Sequence, residues 1–447
     1  MSLSLSFAQA FERALGFQQA GDWAQAEVIL DQLLRDVPGQ AHALYLLGLV
    51  RSGQRRFAEA AGLIEQAVAA NPAEKLFLHH LQEVYRRLGR VHSALAAGQR
   101  AVAAFPGDAM LWANLAAIHR DRLEVAQAVA AAERALSLQA DLPEAHMAMA
   151  ETLLLAGEFE RGWAAYEWRF ALSGAGQLMA PTESPAWDGA PLAGTLLLVA
   201  DQGFGDVIQF ARYIPVVAAR CGALAIVSAA ELQPLLRQIW PSLMIYDRWE
   251  SGVACAAWVA LSSLPRWFGM LPAPAAYLHA DPARVDVWRA QLGSAGLQVG
   301  IVWAGSPEHP NDRQRSTVPA TFAPLAAVPG VRLVSLQRGV VPADAAVFDA
   351  GSALADFADT MCLLGAIDVL ITVDTAMAHL AGAMGRPVWI LLPYAPDWRW
   401  LLDRSDSPWY PSARLFRQPA PGDWGAMMKA VVGALEGSLA ADEGGDG

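Results

Sequence analysis

The chain has 447 residues, 54% of them hydrophobic and 17% charged, with a formal net charge of −12 at pH 7. That much apolar material supports two or three buried cores and excludes wholesale disorder. The acidic balance excludes a diffuse basic footprint for nucleic acid and leaves room only for a local basic pocket. Three cysteines, Cys221, Cys255 and Cys362, lack metal or redox spacing and fit a reducing, cytoplasmic setting. No basic segment followed by an apolar core opens the chain, and no apolar run reaches about 18 residues. Neither a signal peptide nor a transmembrane segment is expected.

Shifting the chain against itself by 34 residues aligns units beginning at Phe7, Ala41, Lys75, Ala109 and Pro143. The eighth position reads Ala14, Gly48, Gln82, Ala116, Ala150, and the twentieth Ala26, Ala60, Ala94, Ala128, Gly162. Mostly small residues at these two places let paired helices touch closely. Near the end of the unit stand Pro38, Pro72, Pro106 and then Ala140; proline ends a helix because it cannot donate the next backbone bond. The period and pattern resemble the tetratricopeptide repeat. In such an array the first helix of each unit lines a concave groove, here offering Tyr45, Leu49, His79, Glu83, Ala117, Asp121, Glu151 and a basic cluster of Arg86, Arg87 and Arg120. The groove is expected to hold a polypeptide segment; solvated surface charge describes the three arginines equally well. Trp163, Tyr166 and Trp168 need burial and are expected to pack the array against the next domain.

The remainder reads as α/β. Strand 196–200 leads through Asp201-Gln202-Gly203-Phe204-Gly205 to a helix expected over 206–221. Strand 224–228 leads to helix 232–240, with further strands at 243–246 and 256–261 and a crossing loop at 272–277. A second set starts at Val299: strand 299–303, helix 322–327, strand 331–336, helix 357–366, strand 368–373, helix 376–384, strand 388–392, and a terminal helix at 423–439. The expected domains are a repeat array over 1–174, a linker over 175–194, two lobes over 195–280 and 281–439 that face across a cleft, and a disordered acidic tail over 440–447.

Four stretches carry candidate chemistry. Gly203 and Gly205 let a backbone come close to a ligand at a helix start, and Asp206 stands there as an acid or base, or simply as the helix N-cap. Asp374-Thr375-Ala376, directly after a strand, is a seat for a diphosphate, with His379 one turn further on, either facing the ligand or packed in the core. The polar stretch Trp303–Ser316 contains Ser306, Arg313 and Arg315, one of whose guanidinium groups can neutralise a diphosphate. Pro393–Trp400 holds Trp398, Arg399 and Trp400, suited either to stacking on a ring or to packing two lobes together. No nucleophile elbow, P-loop or metal motif is present, so no metal is expected. Gly203-Phe204-Gly205 is half of a dinucleotide fingerprint, with Ile208 at the third glycine position and Glu231 after the second strand, which keeps a nicotinamide dehydrogenase as a remote alternative.

Taken together, GFGDVIQFARYIP, VWAGSPEHPNDRQRS, VSLQRG, ITVDTAMAHLAGAMGRPVWILLP and PDWRWLL resemble bacterial tetratricopeptide proteins with a glycosyltransferase domain similar to the heptosyltransferase family (glycosyltransferase family 9). The resemblance covers residues 158–433 and implies a GT-B fold of two Rossmann-like lobes, acceptor on the first and nucleotide-sugar on the second. It implies Asp206 as catalytic base, Arg315 at the donor diphosphate where the family usually carries lysine, and Asp374, Thr375, Ala376 and His379 as donor contacts. Gln337 stands nearest to the family's ribose-binding glutamate. The implied activity is inverting, metal-independent transfer from a nucleotide-diphosphate sugar, a co-substrate rather than a cofactor, to an acceptor hydroxyl on a protein presented by the repeats. The tandem also resembles protein O-glycosyltransferases, including bacterial flagellin-modifying ones, in architecture. A catalytically silent binding scaffold is the alternative.

Overall fold

The computed structural model describes residues 6–173, 183–247, 254–271, 276–340, 344 and 346–443. Residues 174–182 in and next to the expected linker, 272–275 of the expected crossing loop and 444–447 of the expected tail lie outside the described residues. The chain divides into two compact units, Met1–Thr152 and Leu153–Gly447.

Helix pairs build the first unit: α1 (Phe7–Gln19) with α2 (Trp23–Asp36), α3 (Ala41–Gly53) with α4 (Phe57–Ala70), α5 (Lys75–Arg87) with α6 (Val91–Ala104), and α7 (Ala109–Asp121) with α8 (Val125–Leu138). α9 (Pro143–Leu155) straddles the division, and α10 (Phe159–Tyr166) belongs to the second unit. The first helix of each pair starts where the 34-residue period places it. Ala14, Ala26, Ala60, Ala94, Ala116 and Ala128 are fully buried. A Cβ on Gly48 would lie 2.6 Å from Ile64 Cγ1, so the α3–α4 contact requires glycine. Gln82 occupies the same position in α5 yet is also fully buried. Gly98 on α6 leaves the space: a Cβ there would stand 3.2 Å from Gln82 Oε1.

The turn inside each pair repeats too. Gly21, Gly89 and Gly157 take φ of 77°, 71° and 83°, and at the same point of the period Arg55 and Leu123 both take 62°. Glycine enters this left-handed region freely, whereas arginine and leucine are strained there. Pro38, Pro72 and Pro106 each fall just beyond the helix they terminate; α8 stops at Leu138 without one, through the extended backbone of Gln139.

In the second unit the order is β1 (Leu192–Val199), α11 (Phe204–Phe210), α12 (Ile214–Ala218), β2 (Cys221–Val227), α13 (Gln233–Ile239), β3 (Met244–Tyr246), β4 (Ala257–Ala260), α14 (Pro265–Phe268) and α15 (Pro282–Leu292). Next come β5 (Leu297–Val302), α16 (Asp312–Arg315), α17 (Ala323–Ala326), β6 (Val331–Ser335), β7 (Phe348–Asp349), α18 (Phe357–Ala366), β8 (Val369–Val373), α19 (Ala376–Ala383), β9 (Val388–Leu392), β10 (Ala413–Arg417) and α20 (Trp424–Glu443). The first four strands form one sheet, in the order β3-β2-β1-β4, and the other six a second, in the order β10-β9-β8-β5-β6-β7. Every strand pair is parallel. Parallel strands covered on both faces read as continuous apolar runs, which is why VLITV and VWILL are buried at every residue. Val299, Ile371, Val373 and Leu391 join Val431 and Leu435 of α20 in one core.

Two expectations need correction. The helix expected over 206–221 is broken into α11, a 3-10 turn at Ala211–Tyr213 and α12, and Cys221 already begins β2. Pro215 cannot donate a backbone bond and so cannot lie inside a continuous helix. α20 runs through Glu443, so the tail from 440 begins as helix rather than as disordered chain. Neither α15 nor the edge strand β10 is expected from the sequence, because charged residues interrupt their apolar positions.

In each sheet one strand pair marks where the chain reverses its direction of travel, β1/β4 and β5/β8. Ligands in open parallel sheets bind outside the carboxyl ends of strands at such points. The segments immediately after β1, β5, β8 and β9 are the four that the sequence singles out.

Candidate functional site

A cavity of about 400 Å³ is lined by residues from all four of those segments. From the β1 side come Gly203, Gly205 and Asp206. From the β5 loop come Ser306, His309 and Arg315; the end of β6 adds Gln337, and the start of α19 adds Asp374, Thr375, Ala376 and His379. Each of these except His309 is a residue the sequence proposes. Among the residues proposed for the diphosphate, Arg313 does not line the cavity. Arg313 and Arg315 lie two positions apart in the single turn of α16, so they point to opposite sides.

The α11 start is built by Gly203, which is the N-cap; Asp206 lies in the first turn instead of capping the helix. A carboxylate there suits the positive end of the helix. Gly205 is needed for space: a Cβ would stand 2.7 Å from His379 Cδ2 and 3.3 Å from Ala376 Cα. The two helix starts therefore approach almost backbone to backbone. Asp206 is bound through Oδ1 to Arg399 Nη2. Burial raises the pKa of Asp206, and the Arg399 charge opposes that rise.

Facing it, Thr375 caps α19, accepting from the Met377 N–H at 3.2 Å. Arg315 donates from Nη1 to the carbonyl oxygen of Asp374 at 3.1 Å and lies 3.8 Å from Asp312. Its buried Nε has no hydrogen-bond partner. Burial and the nearby Asp397 carboxylate push the Asp374 pKa up to about 7. Asp397 is held in the opposite direction: burial disfavours its charge, but Arg399 outweighs this and keeps it ionised. His379 is packed as well as cavity-lining. It is 5% exposed, shares a 2.9 Å hydrogen bond with the Tyr410 hydroxyl and stacks on Trp400 at 5.3 Å. Burial and Arg399 push its pKa down to about 3, so the ring is neutral at pH 7. Gln337 accepts through Oε1 from the N–H groups of Trp303 and Ala304 at 3.2 and 3.1 Å. Its amide oxygen is thus committed to the backbone.

Of the two readings of Pro393–Trp400, packing is the one observed. Trp398, Arg399 and Trp400 are buried, so no exposed indole waits for a ring. Trp398 meets Trp163 of α10 edge-on at 4.9 Å. Arg399, offered by the sequence only for stacking or packing, and Asp397, which it gives no role, both line the cavity. Their signal was the charged pair inside PDWRW, a composition too polar for a simple buried turn. Ile208 is buried and Glu231 does not line the cavity, so the dinucleotide half-motif gains no second element.

The groove arginines of the first unit do not form a free basic cluster. Arg86 lies 2.8 Å from Asp121 and 3.0 Å from Glu83, Arg87 lies 2.6 Å from Glu83, and Arg120 pairs with Asp121 and Glu151. Acidic residues at neighbouring groove positions neutralise them. Hydrogen bonds between Asn114 and His79 and between Tyr45 and His80, both 2.9 Å, join adjacent first helices of the array.

Among the described residues no group of His, Cys, Asp and Glu could hold a metal ion, and no helix is long and apolar enough to cross a membrane.

In comparison with known proteins, the tetratricopeptide repeat family model matches residues 11–75 and 47–109. Protein FlbA of Caulobacter vibrioides is 31% identical over 333 residues, which is 66% of this chain and 55% of FlbA. The chain thus spans just over half the length of that curated relative. Among solved structures, Pseudomonas aeruginosa pilF is 23% identical over 38% of this chain and 76% of its own, with a TM-score of 0.34. YrrB, described as a TPR protein with an unusual peptide-binding site, is 17% identical over 38% of this chain and 87% of its own, with a TM-score of 0.32. The chain carries N-terminal tetratricopeptide repeats followed by an α/β region of parallel sheets, and it is homologous to FlbA.

Proposed function

We propose that the second unit is a GT-B-type glycosyltransferase, inverting and metal-independent, that moves a sugar from a nucleotide-diphosphate donor to an acceptor hydroxyl. One observation carries this reading. Asp206 lines the same cavity as Arg315 and the helix start headed by Thr375. A carboxylate opposite a cation and a set of backbone N–H groups is what displacement of a diphosphate needs. The base removes the acceptor proton as the hydroxyl attacks the anomeric carbon. Arg315 and the α19 N-terminus stabilise charge on the departing diphosphate. Ser306, Gly203 and Gly205 shape the donor seat, and Gln337 reaches the nucleoside with its amide nitrogen.

The repeats hold the acceptor, a polypeptide, as tetratricopeptide arrays hold peptides. Because Arg86, Arg87 and Arg120 are already paired, the groove selects by hydrogen bonding and shape rather than by positive charge.

A panel of nucleotide-diphosphate sugars scored by thermal shift, then by donor hydrolysis, tests the reading. A saturating donor at about 100 times its dissociation constant adds roughly 2.7 kcal/mol of stability. A flat response across the panel, with no hydrolysis, would dismiss it.

A further inference from the structure

We propose that Arg399 is the positioning residue for Asp206, pinning one oxygen of its carboxylate so that the other takes the acceptor proton. This rests on the glycosyl-transfer reading above.

The geometry is specific. Arg399 donates from Nη2 to Asp206 Oδ1, from Nε to Gln209 Oε1 at 2.7 Å, and from Nη1 to Asp397 Oδ1 at 2.8 Å. Gln209 lies three residues after Asp206 on α11, one turn along the same face. One guanidinium therefore holds α11 at two points and sets both its rotation and its position along its axis. Asp397 completes the arrangement by also accepting from the Arg399 backbone N–H at 3.0 Å. The guanidinium sits over the Trp398 ring, with Cζ 4.1 Å from the ring centroid, and its side chain is 8% exposed. Lysine could supply the charge but could not span three acceptors in one plane. The Asp206 side chain remains 23% exposed and lines the cavity.

Electrostatics agree with the geometry. Burial works against an ionised Asp206, and the Arg399 charge is the largest influence that works for it. A general base must be ionised, so this pair keeps Asp206 able to act at lower pH than burial alone would allow.

The test uses Arg399→Gln and Arg399→Lys in the full chain, with circular dichroism confirming the fold. Two readouts are taken. The first is the titration of Asp206 followed by ¹³C NMR of its carboxyl in the donor-free protein. It should move to higher pH in Arg399→Gln and much less in Arg399→Lys. The second is the pH profile of sugar transfer, whose acid limb should move up with it, while Arg399→Lys keeps the limb and loses about tenfold or more in kcat with little change in KM. In an Asp206→Asn background, Arg399→Gln should cost little more, because both act through one group.

An unmoved Asp206 titration in Arg399→Gln overturns the proposal whatever the activity. A moved titration with an unmoved acid limb overturns the positioning role while transfer itself stands. A moved titration in Arg399→Gln beside a wild-type protein that turns over no donor sinks the glycosyl-transfer reading, and the catalytic positioning with it, leaving only the ion pair.

Discussion

Gly205 and His379 stand so close that a single methyl group would not fit between them: the Cβ of an alanine at 205 would lie 2.7 Å from the His379 ring. The ring cannot retreat, since Tyr410 holds its Nδ1 and Trp400 covers its face. The close approach of α11 to α19 thus depends on one absent side chain. Gly205→Ala should cost about 1–3 kcal/mol, the usual scale of overpacking, and should widen the distance from Asp206 to Thr375. Urea unfolding of the two proteins measures the first effect and donor affinity the second. Equal stability with full affinity would show that the helices slide apart without penalty.

His379 also gives a pH signature. Its folded pKa of about 3 lies below the ordinary value of 6.5, so the unfolded chain binds the extra proton first. The stability owed to the neutral ring is complete above pH 6.5 and is lost as pH falls towards 3. Each pH unit in that window is worth about 1.4 kcal/mol. His379→Gln cannot titrate, so the stability difference between wild type and this variant should shrink by about 2 kcal/mol from pH 6.5 to pH 5. Melting both proteins at the two pH values checks the sign. A difference that grew instead would mean that His379 is protonated in the fold.

Arg315→Ala should weaken donor binding and slow transfer together, because the charge acts on bound and departing diphosphate alike. Arg313→Ala is the comparison, since Arg313 does not line the cavity. Calorimetry with a nucleotide diphosphate distinguishes them. An equal loss in both variants would return the choice between the arginines to the open state in which the sequence leaves it.

Asp206→Asn should retain donor binding and reduce transfer by about a hundredfold or more, the scale of a general base. Single-turnover rates at saturating donor are the measurement. Transfer at the wild-type rate would remove Asp206 from the mechanism.

Charge reversal in the groove should act on stability. Arg86→Glu sets a third carboxylate against Glu83 and Asp121, which now hold that arginine. The cost should be on the order of 1–3 kcal/mol, between that of exposed and of buried pairs. Arg55→Gly, by contrast, should stabilise by up to about 1 kcal/mol, because it removes a left-handed arginine at a point where other repeats use glycine. Both are read by denaturant melts at 222 nm, and a stabilised Arg86→Glu would mean that its pairs contribute nothing.

The sequence by itself determined the repeats and most of the strands, because those signals are periodic and local. The 34-residue spacing arises from small residues that must sit where two helices touch, and VLITV and VWILL are apolar but for Thr372 because both faces of a parallel sheet are covered. Which segments gather follows from the order of strands in each sheet, with reversals at β1/β4 and β5/β8, and that order belongs to the tertiary structure. Tertiary structure alone decided the pairings. Nothing local tells that Arg399 meets Asp206, 193 positions earlier. Nothing local tells that Glu83, Asp121 and Glu151 absorb the groove arginines, or that Trp398 turns inward to Trp163 rather than outward to a ligand. Charge and aromatic character are readable residue by residue; which partner satisfies them depends on three-dimensional proximity, and burial makes that choice energetically decisive.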